Sequence, residues 1–327
     1  MRSLTDRWPA PSPEQLLAGF TPPPHFRGAT FASYVPQDDS QRAALVNLRE
    51  FVDAINTPPR RGLFRRAPER IRGRYLDGGF GVGKTHLLAS IWHAATVPAA
   101  FGTFVGYTNL VGALGFANVV DALSAYKLVC IDEFELDDPG DTVLMSTLCS
   151  RLVERGVVLA ATSNTLPDRL GEERFAADDF LREIQGLSAH FNVVSIAGED
   201  YRQRHLLPDG SSSKEQAVVA AVSDIDHATL DDFDALLAHL ADVHPSRYRL
   251  LLDGVTAAGI LNARMITDQF QALRFVVFVD RLYDLDVDVY LHGCNPAEIF
   301  APELLGGGYR KKYFRALSRL QALRIAV

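Results

Sequence analysis

One short stretch constrains the fold of this chain more than any other feature of its sequence. It has the pattern G-x-x-x-x-G-K-[ST], and its residues are Gly78, Gly79, Phe80, Gly81, Val82, Gly83, Lys84 and Thr85. Residues 74–77 before it can form a short strand, and residues 85–95 after it carry apolar side chains at helical spacing. A glycine-rich loop between a strand and a helix is the context of the phosphate-binding P-loop. The alternative is a glycine-rich loop that ends in Lys-Thr by chance.

The residue types of this stretch suit the binding of a nucleotide. Glycines let successive backbone N–H groups turn inward around a phosphate without Cβ clashes. The helix that follows presents the positive end of its dipole to the same anion. Lys84 is long enough to reach β- and γ-phosphate oxygens, and the Thr85 hydroxyl is a ligand for Mg²⁺. The stretch therefore predicts a site for a nucleoside triphosphate with Mg²⁺.

Two apolar runs farther along the chain indicate the type of sheet. Residues 127–131 and 157–162 are hydrophobic almost throughout, which is typical of strands buried on both faces of a parallel sheet. Segments with helical apolar stripes alternate with such strands, and this alternation predicts helices on both faces of the sheet. The expected fold class is α/β, a P-loop NTPase, with a smaller C-terminal domain that is α/β or helical.

Polar residues follow both of these runs. Asp132 and Glu133 end the first, where P-loop NTPases carry their Walker B carboxylates. Because open α/β sheets bind ligands at this edge, we expect Asp132 to hold Mg²⁺ through water and Glu133 to polarise the attacking water. The alternative for the acidic pair is helix capping. Asn164 ends the second run and is expected to sense the γ-phosphate as sensor 1; the alternative is a turn asparagine.

Three arginines are candidates for contact with the γ-phosphate. Arg174 lies at the predicted start of a helix, and Arg182 lies inside that helix. In ring ATPases an arginine in this region reaches the nucleotide of a neighbouring subunit and stabilises the charge of the transition state. We favour Arg174 over Arg182 as this finger; the alternative is a surface ion pair. Arg274, in the second domain, is a candidate sensor 2 arginine.

Proline and glycine positions predict the domain boundaries. Residues 1–37 contain a proline-rich segment that we expect to be flexible and without regular structure. Residues 38–207 are predicted to form the P-loop core, residues 208–216 a linker, and residues 217–327 a C-terminal lid or accessory domain. The linker is predicted from its Pro-Asp-Gly-Ser-Ser-Ser sequence.

Charge and hydropathy restrict the partners and the compartment. The net charge of −7 argues against a nucleic-acid binder by bulk charge. Seven arginines between Arg60 and Arg74 are either a solvated loop or a surface for an acidic partner, be it protein, lipid or DNA. The first residues have no apolar signal core, and no apolar run reaches the roughly 18 residues of a membrane span. With three scattered cysteines, we expect a cytoplasmic protein.

Several stretches beyond the P-loop resemble the ZapE family, AAA+-type ATPases with mitochondrial relatives. The resemblance covers about residues 38–325. It is carried by residues 131–138, 161–170, 174–175 with 180–181, 273–275 with 280–283, and 314–320. Taken in this order, the five stretches are similar to the family's DEF-x-V-x-D pattern, its ATSN-x-x-P-x-x-L pattern, its R-x-x-F pattern, a pattern of its second domain, and its closing R-x-x-SRL pattern. The fold implied is AAA+-like.

The resemblance also implies an activity and partners. The family hydrolyses ATP with Mg²⁺, forms homo-oligomers through arginines that act in trans, and works at the bacterial division site with the tubulin-like protein FtsZ. A second hypothesis is a DNA-associated ATPase of the helicase-loader type, because Gly-Lys-Thr-His-Leu also occurs there. A third is an ATP-gated adaptor that barely hydrolyses, against which Glu133 and the candidate finger argue.

Overall fold

A computed structural model shows two compact units. It describes residues 2–57, 70–79, 81–134, 139–164, 186, 188–198 and 214–327. The P-loop unit comprises Phe20–Pro22 and Phe26–Leu206. The C-terminal unit comprises Met1–Gly19, Pro23–His25 and Leu207–Val327.

Strands and helices alternate along most of the described chain. The strands are β1 Gly73–Gly78, β2 Ala99–Thr103, β3 Leu128–Asp132, β4 Val158–Ser163, β5 Phe191–Ile196, β6 Thr229–Asp232, β7 Ala257–Ala263 and β8 Asp288–Gly293. The α-helices are α1 Pro13–Ala18, α2 Asp39–Asn56, α3 Lys84–Ala94, α4 Phe104–Leu114, α5 Phe116–Leu123, α6 Pro139–Glu154, α7 Glu215–Ser223, α8 Phe233–Asp242, α9 Tyr248–Leu251, α10 Gln269–Leu285, α11 Pro302–Leu305 and α12 Arg310–Leu323.

The sheet of the P-loop unit is parallel throughout. Its strand order is β2-β3-β4-β1-β5, and each neighbouring pair runs in the same direction. The strand that precedes the P-loop, β1, therefore has β4 between it and β3. The predicted α/β class with a parallel sheet is confirmed.

Apolar side chains cover both faces of this sheet. Leu76 belongs to a buried cluster with residues of α2 and α3, such as Leu88. Its neighbour Tyr75 packs edge-on against Phe134 and Phe191. Because successive side chains of a strand point to opposite faces, these contacts place packed layers on both sides of β1.

Two helix boundaries in the P-loop unit follow from local chemistry. The Asp38 carboxylate accepts a hydrogen bond from the Gln41 N–H at 2.9 Å and caps α2. After α6, Gly156 has a φ of +81°, the left-handed conformation that commonly ends helices. Asp38 and Gly156 thus have the residue types that typically start and end helices, at the positions where these two helices start and end.

The C-terminal unit is also α/β, with the parallel strand order β6-β7-β8. Two local residue patterns are misleading here. Thr229 has the residue type of a helix cap, but it begins β6, and the side chain of Asp232 caps α8 instead. The apolar run Leu250–Leu252 is typical of a short strand, but it falls in and after the short helix α9. Short apolar runs do not distinguish strand from helix by periodicity. For Thr229, parallel pairing with β7 decides the strand.

The first residues of the chain are ordered as part of the C-terminal unit, contrary to the expected flexible segment. The Leu230 N–H donates to the Arg2 carbonyl at 3.0 Å, so this segment extends the edge of the sheet beside β6. Leu4 is fully buried, and its N–H donates to the Asp231 carboxylate at 2.9 Å. Ser12 caps α1 through a capping box. Proline content predicted disorder here, and long-range pairing overrode it.

Two stretches that carry the family resemblance meet inside the C-terminal unit. Asp280 on α10 accepts hydrogen bonds from Arg315 at 2.8 Å and from Arg319, both on α12. The Arg319 guanidinium also lies 5.2 Å from the Tyr283 ring centroid. All three charged side chains are about seven-eighths buried. They form a buried ion triad that joins the two helices.

The predicted linker lies mostly outside the described residues. Residues 208–213 are not described, and the described chain resumes at Lys214, just before α7. In the described ranges, no helix combines the length and the apolar character that crossing a bilayer requires.

Candidate active site

Three segments that are distant in sequence end at one edge of the P-loop unit's sheet. β1, β4 and β3 are neighbours, and the pairs Asp77 with Ser163 and Ile131 with Ala161 fix their register. The P-loop, Asn164 and Glu133 follow directly after these three strands. The carboxyl edge of a parallel sheet is where open α/β folds bind their ligands.

The P-loop has a backbone that only glycine adopts without strain. Gly81 and Gly83 have φ values of +72° and +87°, in the left-handed region. Gly83 is the cap residue from which α3 starts at Lys84. The first N–H groups of a helix have no partner within the helix, so the start of α3 offers donors to an anion. Phe80 lies outside the described residues.

The Lys84 ammonium bridges the P-loop and the end of β4. It donates to the carbonyls of Gly78 at 2.7 Å and Gly79 at 2.5 Å, and to Oδ1 of Asn164 at 2.8 Å. The side chain is 9% exposed. These three acceptors match the three protons of an ammonium group. A phosphate bound at the loop would accept hydrogen bonds that the Lys84 ammonium now donates to protein oxygens.

Thr85 and Asp132 place hard oxygen donors side by side. The Thr85 hydroxyl donates to both carboxylate oxygens of Asp132, at 3.1 and 3.0 Å, and Asp132 is 5% exposed. Mg²⁺ prefers one or two carboxylates together with hydroxyl, water and substrate phosphate oxygens. The pair fits such an ion. No group of three or more His, Cys, Asp or Glu side chains in the described residues forms a metal site.

Glu133 follows Asp132 in a strained conformation. Its φ of +54° is in the left-handed region, which non-glycine residues rarely adopt. Its N–H donates to the Thr162 hydroxyl at 3.0 Å, and that hydroxyl donates to Oδ1 of Asp132 at 2.5 Å. Strain of this kind clusters at functional sites because the surroundings must hold it in place. In the sequence, Thr162 stands out only as part of the ATSN stretch.

The described residues do not test the roles of the three candidate arginines. Arg174 and Arg182 lie outside the described residues. Arg274 lies on α10 in the C-terminal unit, where it donates to the carbonyls of Leu240 at 2.8 Å and Val243 at 3.2 Å. These contacts cap the end of α8. The roles predicted for the arginines stay predictions.

Tyr34 is a P-loop contact that sequence reasoning missed. Its hydroxyl donates to the Val82 carbonyl at 2.8 Å, and its ring lies against Gly83, where an added Cβ would be 2.6 Å from the ring. Burial, with the nearby Asp38 carboxylate, raises the pKa of Tyr34 to about 12. It therefore stays protonated, and remains a donor, throughout the physiological range. No motif marked this residue, because the contact joins segments far apart in sequence.

Replacing Gly83 by Ala is expected to lower the affinity for ATP at least about tenfold, or 1.4 kcal/mol. The left-handed conformation costs an L-residue about 1–2 kcal/mol, and the new Cβ meets the Tyr34 ring. Titration with a fluorescent ATP analogue measures the change. Gly156→Ala is the matched control, since Gly156 has a φ of +81° but nothing within 4 Å of an added Cβ. Wild-type affinity in Gly83→Ala would show that the loop tolerates a different shape.

Comparison with known proteins gives the family. The AFG1-like ATPase family model matches residues 11–227 and 211–327. The cell division protein ZapE of Escherichia coli K12 is 27% identical over 296 residues, which cover 77% of this chain and 78% of that protein. Lactation elevated protein 1 homolog B of Danio rerio is 34% identical over 84 residues, 25% of this chain and 17% of that protein.

The crystal structure of DnaI is similar in fold at a low level. It superposes with a TM-score of 0.43 and 17% identity, covering 54% of this chain and 93% of DnaI. A similarity of this size adds nothing to the assignment, which depends on the sequence match. Because the matches to the family model span well over half of this chain, the chain belongs to the AFG1-like ATPase family.

Proposed function

We propose that this ATPase hydrolyses ATP with Mg²⁺ at the P-loop edge of its sheet, as a homo-oligomer that acts on the cell-division machinery. One observation carries the catalytic part of the proposal. At that edge Lys84 donates to Asn164 at 2.8 Å, Thr85 donates to Asp132 at 3.0 and 3.1 Å, and Glu133 follows Asp132 directly.

Each of these residues has a chemical task in the proposed reaction. Lys84 and the loop N–H groups bind the phosphates, and the charge that develops there is stabilised by groups already in position. Thr85 and Asp132 would hold Mg²⁺, which when bound neutralises phosphate charge. Glu133 accepts a proton from the attacking water. Asn164, beside the Lys84 ammonium, orients that water.

The arginine assignments complete the proposal. Arg174, with Arg182 as the runner-up, would reach the nucleotide of the adjacent subunit, and Arg274 would couple the C-terminal unit to the nucleotide as sensor 2. The resemblance of residues 174–175 and 273–275 to the family patterns supports both roles. An arginine that acts in trans makes turnover depend on assembly.

The cellular role is proposed from the relatives. ZapE carries the name of a cell division protein, and the resemblance of this chain to its family extends into the C-terminal unit. We therefore propose a division protein of the FtsZ type as the partner. Association with DNA, as in helicase loaders, is the less favoured alternative.

ATP turnover per subunit is expected to rise with protein concentration and to fall about 10³–10⁵-fold in Arg174→Ala. The reason is that a finger supplied by a neighbour is present only in the assembled state. Steady-state phosphate release, measured across a concentration series with and without FtsZ, tests both parts. Arg42→Ala is the control, because Arg42 is exposed and pairs only locally with Asp39 at 2.7 Å among its described contacts.

Two results would contradict the proposal in different places. Turnover that is independent of concentration and unchanged in Arg174→Ala excludes a trans-acting ring. Turnover that responds to single-stranded DNA and not to FtsZ excludes the division partner and favours the helicase-loader alternative, for which binding should weaken with rising salt.

A further inference from the structure

Thr162 occupies an unusual position between the two carboxylate residues. It lies in β4 and is 1% exposed. Its hydroxyl donates to Oδ1 of Asp132 at 2.5 Å and accepts from the N–H of Glu133 at 3.0 Å. A hydroxyl has one proton and two lone pairs. The Thr162 oxygen can therefore donate to Asp132 and accept from the adjacent residue, Glu133, at the same time.

The backbone of Thr162 holds the same turn from another side. The N–H of Phe134 donates to the Thr162 carbonyl at 2.6 Å. Thr162 is itself fixed in the sheet, because β4 pairs with β1, placing Leu76 beside it. The N–H groups of Glu133 and of the next residue, Phe134, thus both donate hydrogen bonds to Thr162. Its φ of +54° costs energy, and these bonds offset that cost.

We propose that Thr162 is a positioning residue that sets the orientation of both carboxylates. Its hydroxyl orients the Asp132 carboxylate toward Thr85 and keeps the backbone of Glu133 in the left-handed conformation. This inference rests on the proposed function, in which Asp132 holds Mg²⁺ and Glu133 serves the attacking water. Mutation of a group that orients a metal ligand typically lowers metal affinity or activity about 10–100-fold, and small misplacements of a catalytic group reduce rates sharply.

We predict that the hydroxyl of Thr162, and not the shape of its side chain, determines the orientation of both carboxylates. Valine has nearly the same shape and suits a strand, but it leaves the buried Asp132 oxygen and the Glu133 N–H each without this partner. Serine keeps the hydroxyl and loses only a methyl group. A role in packing alone would make valine the milder of the two substitutions. A role through the hydroxyl makes serine the milder one.

The test compares Thr162→Val with Thr162→Ser in the full chain. In Thr162→Val we expect the half-saturating Mg²⁺ concentration for turnover to rise about 10–100-fold and kcat to fall about 10²-fold. The affinity for a fluorescent ATP analogue measured without Mg²⁺ should change little, because Lys84 and the loop are untouched. Thr162→Ser should restore most of both losses. Thr147→Val, at an exposed threonine of α6, is the control.

The outcomes separate this inference from the proposed function. If Asp132→Asn and Glu133→Gln abolish turnover while Thr162→Val keeps wild-type kcat and Mg²⁺ dependence, the positioning role is overturned and the proposed function stands. If serine is as defective as valine, the hydroxyl is not the determinant. If Asp132→Asn and Glu133→Gln are fully active, the proposed function itself fails. If Thr162→Val does not fold, Thr162→Ala takes its place in the test, because alanine also lacks the hydroxyl and adds no volume.

Discussion

Replacing Glu133 by Gln is expected to lower ATP turnover about 10²–10⁴-fold while leaving ATP binding intact. Glutamine has nearly the shape of glutamate but cannot accept a proton from the attacking water. The N–H of residue 133 still donates to the Thr162 hydroxyl, so the strained turn is kept. The variant should therefore hold ATP without hydrolysing it. Single-turnover hydrolysis together with equilibrium binding of ATP measures the two effects separately.

Two further variants define what the Glu133 result means. Lys84→Ala removes the ammonium that contacts Gly78, Gly79 and Asn164, and it should lose ATP binding as well as turnover. Glu154→Gln, at an exposed glutamate paired with Arg151 at 3.1 Å, is the matched control and should behave as wild type. Full turnover in Glu133→Gln would refute the assignment of Glu133 as the group that accepts the proton.

Replacing Asp280 by Asn is expected to destabilise the C-terminal unit by about 3–5 kcal/mol. The substitution keeps the shape of the side chain but leaves the buried guanidiniums of Arg315 and Arg319 without their shared counter-charge. Urea unfolding followed by circular dichroism measures the loss. Asp234→Asn is the control in the same unit, since Asp234 is 60% exposed and pairs with Arg264 at 2.6 Å. Exposed pairs contribute about 0–1 kcal/mol.

The Asp280 triad also predicts the direction of a pH dependence. Burial by itself raises the pKa of the Asp280 carboxyl, but Arg315 and Arg319 overcome this effect and hold the pKa below its ordinary value. The triad's contribution to stability is therefore complete above the unfolded-state pKa of about 4. It is lost as the pH falls through the lower folded-state pKa. Asp280→Asn should remove this acid-side loss; an unchanged profile below about pH 4 would contradict the assignment.

The pieces of the candidate site were accessible to sequence reasoning because each is locally encoded. The P-loop residues 78–85 are contiguous, and their glycine and lysine types follow from the chemistry of phosphate binding. Asp132 and Asn164 were found because each ends an apolar run, and in a parallel sheet such ends share one edge. The same reasoning predicted the α/β class and the parallel sheet.

Features that depend on contacts between distant segments were not predictable in this way. Nothing in the sequence around Tyr34 indicates that its ring rests on Gly83. The proline-rich start of the chain suggested flexibility, yet Leu4 is fully buried in the core of the C-terminal unit. Thr229 has the residue type of a helix cap, and only its pairing with Ala258 makes it part of a strand.

The sequence by itself determined the chemistry at the sheet edge: which side chains are present and that their strands end together. It did so because strand burial, helix capping and phosphate binding each depend on short runs of residue types. Only the tertiary structure decided how those side chains are held. The hydroxyl of Thr162 joins Asp132 to Glu133, and Arg319 meets Asp280, through bonds between residues 29 to 39 positions apart. Such pairings depend on which surfaces the packed sheet brings within about 3 Å, and no local pattern encodes that.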